Sequence, residues 1–177
     1  MPNKLDLYTI NNHYGNFLHN RDNKSPNVSG NKSTRPFVGI IIMVNNKNYI
    51  VPLTSPKPKH LTMRTQPDFM KIDNGNLGAM NFNNMVPIDP SLCNKIVIQN
   101  ESDPKYKSLL ENQYNWIKQN QDAINDKAQK LYNKYVEDRL PYNIKSRCVD
   151  FPRLERALDT YLQRQPNQNT NEISRQY

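Results

Sequence analysis

Along the first part of the chain apolar residues come in short blocks rich in β-branched side chains, and along the second they recur every three or four positions. Phe37 to Val44, dense in Val and Ile, predicts a buried strand, and Tyr49 to Leu53 predicts its partner. Asn45-Asn46-Lys47-Asn48 lies between them and reads as a hairpin turn, because Asn tolerates left-handed backbone. Leu5 to Ile10 predicts a short strand. Asp68 to Ile72 and Leu77 to Phe82 flank Asp73-Asn74-Gly75 and predict a second hairpin. Met85 to Ile88 and Lys95 to Gln99 predict two more short strands.

Helical spacing predicts four helices. Asn11 to Asn20 carries Tyr14, Phe17 and Leu18 on one face. Asp103 followed by Pro104 reads as an N-cap and a first-turn proline, opening a helix through Tyr106, Leu109, Leu110, Tyr114 and Ile117. The next runs from about Gln121 through Ile124, Ala128, Leu131 and Tyr135, with Pro141 ending it. Pro152 to Leu162 is the last. Arg21 to Thr34, polar and carrying Pro26 and Gly30, predicts a long loop. Strands first and helices later imply an α+β protein: a mostly antiparallel sheet with helices packed around it. One domain is expected over residues 1–163, with a polar, flexible tail over 164–177.

The chain has 177 residues, 24 Lys plus Arg and 16 Asp plus Glu, for a net charge of +8 and a pI near 9.5. That balance favours a polyanionic partner. No apolar run reaches membrane-spanning length, and the first residues lack the apolar core of a signal peptide, so a cytoplasmic protein is expected. Cys93 and Cys148 match no zinc spacing and read as free thiols. His13, His19 and His60 form no ligand set with Cys or carboxylates, so neither a metal nor another cofactor is expected.

The chemistry concentrates after the first hairpin. Thr54, Ser55, Lys57, Lys59 and His60 crowd into a segment stiffened by Pro56 and Pro58. Two hydroxyls, ammonium groups and an imidazole on rigid backbone suit an anionic substrate. Lys57, held between two prolines, is placed to face charge developing on a phosphate. Thr54 and Ser55 can hydrogen-bond a phosphate oxygen, or cap a turn. His60 titrates near neutrality and can move a proton, or hydrogen-bond the loop. Arg35, just before the first core strand, offers a bidentate fork for phosphate. Lys118, Lys130, Lys134 and Arg147 alternate with aromatics along the later helices. That pattern suits RNA, and equally an ordinary amphipathic helix.

Arg35-Pro-Phe-Val-Gly-Ile40, then Tyr49-Ile-Val-Pro-Leu-Thr-Ser-Pro-Lys57 with His60, resembles the ToxN/AbiQ toxins of type III toxin–antitoxin systems. Tyr8-Thr-Ile10 with Tyr14, Asp73-Asn-Gly75, Leu77-Gly-Ala-Met-Asn81, Met85-Val-Pro-Ile88 and Arg147-Cys-Val-Asp-Phe151 match in the same order, so the likeness runs from about Leu5 to Leu162. The resemblance implies a strongly twisted sheet like that of the Kid/MazF toxins. It also implies a metal-independent endoribonuclease that cuts single-stranded, A-rich RNA through a 2′,3′-cyclic phosphate, leaving a 5′-hydroxyl. It places Tyr14, the Thr54-Ser55-Pro56-Lys57 run and Arg35 in the active-site region. It implies abortive-infection defence against phage, with cellular or phage mRNA as substrate. The neutralising partner would be a folded, pseudoknotted repeat RNA, processed by the toxin and bound in a closed, alternating protein–RNA assembly, and no protein antitoxin is expected.

Two other classes fit the charge: a non-catalytic nucleic-acid-binding module, and a ribonuclease toxin neutralised by a protein. The compact Thr-Ser-Pro-Lys cluster favours the enzyme over the module.

Overall fold

A computed structural model describes residues 5–28 and 37–165. All strand pairs in it are antiparallel. The strands are β1 (Leu7–Ile10), β2 (Gly39–Val44), β3 (Lys47–Thr54), β4 (Phe69–Lys71), β5 (Ala79–Asn81), β6 (Val86–Pro87) and β7 (Cys93–Lys95). They form one sheet in the order β4-β5-β3-β2-β1-β7, with β6 also on β3. The helices are α1 (Asn12–Arg21), α2 (Pro58–Thr62), α3 (Pro104–Gln119), α4 (Gln121–Val136), α5 (Tyr142–Lys145) and α6 (Phe151–Arg164). The expected α+β class holds.

The β2–β3 hairpin is the spine. Asn45 and Asn46 take φ of 51° and 60°, the two left-handed residues a tight primed turn requires. Val44 therefore pairs directly with Lys47, and Lys47 and Asn48 belong to the strand rather than the turn. Tyr49, Ile50 and Val51 are fully buried, as are Ile40, opposite Val51, and Val44 at the end of β2. A single buried cluster runs from Leu7 in β1 to Ala157 in α6. α4 packs on β2, and α6 packs on β6 and α1. Glu155 of α6 accepts from Tyr49 Oη at 2.6 Å, Tyr132 Oη at 3.0 Å and Lys47 Nζ at 3.0 Å, tying the hairpin to α4 and α6.

Several expected boundaries shift. Asp103 caps α3, its carboxylate accepting from the amides of Lys105 and Tyr106. The fourth helix starts at Phe151, capped by Asp150, with Pro152 in its first turn. Pro141 does not end α4, which stops at Val136 before Asp138 at φ 55°; it opens the unexpected α5. The last short strand is Cys93–Lys95, not Lys95–Gln99: β1 takes Ile10 against Cys93, and Ile98–Asn100 turns away as a 3-10 helix. The supposed loop after β3 contains α2. Residues 29–34 of the expected long loop, and nearly all of the expected tail, lie outside the described residues. No helix among the described residues is long and apolar enough to cross a membrane.

Candidate active site

The segment Thr54–His60 leaves the sheet at the end of β3 and turns at once into α2. Two prolines dictate this path. Lys57 precedes Pro58 and takes extended backbone, φ −132° and ψ 151°, as the residue before proline must. Pro58 then supplies a preset φ for the first helical position. The amide of Lys57 donates to Nδ1 of His60 at 3.1 Å, and the amide of His60 donates back to the Lys57 carbonyl at 2.9 Å. These reciprocal bonds close the short helix around Lys57, in the manner of a capping box. The side chains of Lys57 and Lys59 remain exposed, and Ser55 is half-buried. Thr54 pairs with Ala79, and its hydroxyl makes a long 3.4 Å contact to the Ala79 carbonyl.

The turn between β4 and β5 backs this segment from behind. Gly75 and Gly78 have φ of 94° and 101°, which favours glycine. Space makes glycine obligatory too. A Cβ on Gly78 would stand 1.9 Å from the Thr54 carbonyl oxygen, and one on Gly75 would stand 2.5 Å from that of His60. The turn is held in its own right by buried Gln113 of α3, whose Nε2 donates to the Leu77 carbonyl at 2.9 Å. Backbone packed on backbone thus fixes where Ser55 and Lys57 sit.

His60 takes a structural part. It is buried, and its Nδ1 accepts a backbone N–H, so the ring is neutral with its proton on Nε2. Burial, reinforced by Lys59, Lys57 and Lys71, lowers its pKa from 6.5. A ring committed in this way cannot serve as a general base without breaking its bond to Lys57. Tyr14 is corrected more sharply. Its ring is fully buried against Phe17 and Tyr161, and its hydroxyl donates to the Pro87 carbonyl at 2.6 Å. Burial raises its pKa well above the ordinary phenol value. The amphipathic face of α1 claims this residue, and the core would have to open before it could meet a 2′-OH. Cys93 and Cys148 are free thiols, each pushed up to about 12 by burial.

The expected RNA-contacting cations divide. Lys130 and Lys134 line a cavity of about 440 Å³ between α4 and the Thr65–Pro67 stretch that follows α2. Lys127 joins them on the same helical face. The spacing of 127, 130 and 134 already carries that stripe in the sequence. Burial lowers the Lys127 pKa, partly offset by Asp68. Lys130 is also paired to Asp126 at 2.9 Å. Arg147 donates through Nε and Nη2 to the buried carboxylate of Asp68 at 3.0 and 2.9 Å. Lys118 sits apart on α3, its ammonium 4.6 Å from the Tyr114 ring centre. Arg35 lies outside the described residues. Lys71, one of the three cations acting on His60, was not anticipated; its Nζ reaches the Leu61 carbonyl at 3.4 Å.

Fold and site together define an α+β protein with a rigid hydroxyl-and-ammonium segment at the end of β3 and a cationic face on α4. Residues 6–159 match the family described as toxin ToxN of type III toxin–antitoxin systems, and the chain belongs to that family. It is 30% identical over 164 residues, 89% of this chain and 84% of the relative, to endoribonuclease ToxN of Bacillus thuringiensis subsp. kurstaki. To endoribonuclease ToxN of Pectobacterium atrosepticum it is 29% identical, covering 77% of this chain and 84% of that one. A solved structure described as a type III system with selective toxin inhibition by a non-coding RNA pseudoknot superimposes with a TM-score of 0.74 at 28% identity, covering 92% of this chain and 100% of that one.

Proposed function

We propose that this chain is the endoribonuclease toxin of a type III system, cleaving single-stranded, A-rich RNA without a metal. The 2′-oxygen bonds to the adjacent phosphorus as the P–O5′ bond breaks, giving a 2′,3′-cyclic phosphate and a 5′-hydroxyl. The 2′-OH loses a proton and the 5′-oxygen gains one. Lys57 stabilises the charge that gathers on the phosphorane oxygens, and Ser55 and Thr54 hydrogen-bond a non-bridging oxygen. His60 and the glycine turn position them. Arg35, Lys59, Lys134 and Arg147 contact the RNA. The same surface receives a folded repeat RNA, which the toxin processes from its precursor and which then inhibits it, and release of the toxin serves abortive infection by phage.

The observation that carries this reading is the fixed backbone of Ser55-Pro56-Lys57, pinned by His60 on one side and Gly78 on the other. It is supported by the family and by relatives that are endoribonucleases. The test is a short unstructured A-rich RNA incubated with purified protein in excess EDTA. Cleavage with cyclic phosphate ends is expected. Strict dependence on Mg²⁺, or 5′-phosphate products, would overturn the mechanism.

A further inference from the structure

Two lysines from different parts of the chain bracket α2. Lys57 precedes its first turn. Lys71, on β4, reaches its last, with Nζ 3.4 Å from the Leu61 carbonyl oxygen. The sheet puts Lys71 there. Lys71 pairs directly with Ala79, and Ala79 pairs directly with Thr54. Directly opposed residues of antiparallel strands carry their side chains on the same face. Lys71, Ala79 and Thr54 therefore form one row across β4, β5 and β3, about 10 Å from end to end at two strand spacings. The register that sets Thr54 also sets Lys71.

Helix capping accounts for only part of this lysine. A cation beside the last carbonyls of a helix is favourable. Yet 3.4 Å lies beyond the usual range of an N–H···O bond, so the contact is weak. An ammonium has three N–H donors, and this contact uses one. Lys71 is half-buried, its stem set in the sheet and its head at the surface.

No carboxylate neutralises it. From Thr54 to Pro67 the chain has no Asp or Glu. Asp68, the first to follow, accepts from Arg147 through both of its oxygens. Among the described residues Lys57, Lys59, Arg64 and Lys71 form no ion pair. Burial lowers the His60 pKa first, and Lys59, Lys57 and Lys71 push it the same way, so the three ammonium groups act at one place. Like charges gathered without counterions repel one another, and an anion among them relieves the repulsion. The spacing suits a chain of phosphates better than a single one. A helix of five residues is about 7.5 Å long, a step comparable with that between successive phosphates of an extended strand.

We propose that Lys71 is a further substrate-binding residue of the active site, gripping a phosphate that neighbours the one facing Lys57, so that the RNA backbone straddles α2. The inference rests on the endoribonuclease reading above. Lys57 meets the phosphorus that reacts. Lys71 meets a charge that does not change in the reaction, and so acts by holding the strand in place.

The test uses short RNAs with a single cut site, in which one non-scissile phosphate at a time is replaced by an uncharged methylphosphonate. At one position within two nucleotides of the cut, this replacement should lower wild-type kcat/KM about tenfold. Lys71→Gln should lose a similar factor on the fully charged RNA, and the methylphosphonate at that position should then cost nothing further. Lys71→Arg, which keeps the charge, should keep the sensitivity. A folded Lys71→Gln protein that responds to every methylphosphonate as wild type does reduces Lys71 to a helix cap and overturns the proposal, even if its rate is lower on every RNA. A wild type that cuts all the neutralised RNAs at the parent rate overturns it without any variant. A wild type that cuts no RNA overturns the enzyme reading instead.

Discussion

The backbone of Gly78 presses on the carbonyl of Thr54, so closely that a Cβ there would lie 1.9 Å from that oxygen. Gly78 also holds φ of 101°. Gly78→Ala must therefore push the Thr54–Ser55 backbone aside and strain its own. We expect a loss of about 2 kcal/mol or more in urea unfolding, together with loss of RNA cleavage. Wild-type stability with full cleavage would show that the turn does not position the segment.

Ser55→Ala and Lys57→Ala should do the opposite, abolishing toxicity while sparing the fold. Lys57 is exposed, so its removal should change stability by no more than about 0.5 kcal/mol. Growth arrest on induction and cleavage of a labelled RNA are the readouts. Cleavage near the parent rate by either variant removes that residue from the mechanism.

His60 makes stability depend on pH. Its folded-state pKa is lowered, by burial first and by Lys59, Lys57 and Lys71 next. Below about 6.5 the unfolded chain takes up a proton that the folded chain resists, so folding is favoured above that pH and weakened as pH falls through the folded value. A protonated Nδ1 cannot accept the Lys57 amide, so α2 should loosen in the same range. Thermal melts from pH 7.5 to 5 should show the decline. His60→Gln retains an acceptor of the kind that usually closes a capping box, and it should flatten the curve. An identical decline in that variant would assign the pH dependence to other groups.

Binding of the inhibitory RNA should be strongly salt-dependent. Lys127, Lys130 and Lys134 share one face of α4, and the chain carries a net charge of +8. Each phosphate contact adds nearly one unit to the log–log salt slope, so a slope of several units is expected. Lys134→Ala should reduce that slope by about one. A scrambled RNA of equal length should bind without giving one discrete complex. Equal neutralisation by the scrambled RNA would leave only nonspecific polyanion binding.

Much of this molecule was legible in its sequence where local chemistry decides the outcome. The Asn45-Asn46 turn and the Asp103-Pro104 helix start follow from backbone preferences that need no partner. Where two local readings competed, tertiary packing chose. Pro58 and Pro141 looked like breakers but sit where helices begin. Ile96-Val97-Ile98 looked like a strand, but the register of β1 pairs three residues earlier. The hydroxyl-and-ammonium segment could be read because it is continuous. Tyr14 and His60 could not be, since the same residue types serve a core or a cap equally well. The meeting of Asp68 with Arg147 had no signature in the sequence, because the two lie far apart along the chain.

Thr54 to His60 is one unbroken run, whereas a cavity of about 530 Å³ around the Arg147–Asp68 pair is gathered from three remote stretches, residues 63–69, 81–83 and 143–147. A single substitution can therefore reshape the wall of that cavity without touching the segment that follows β3.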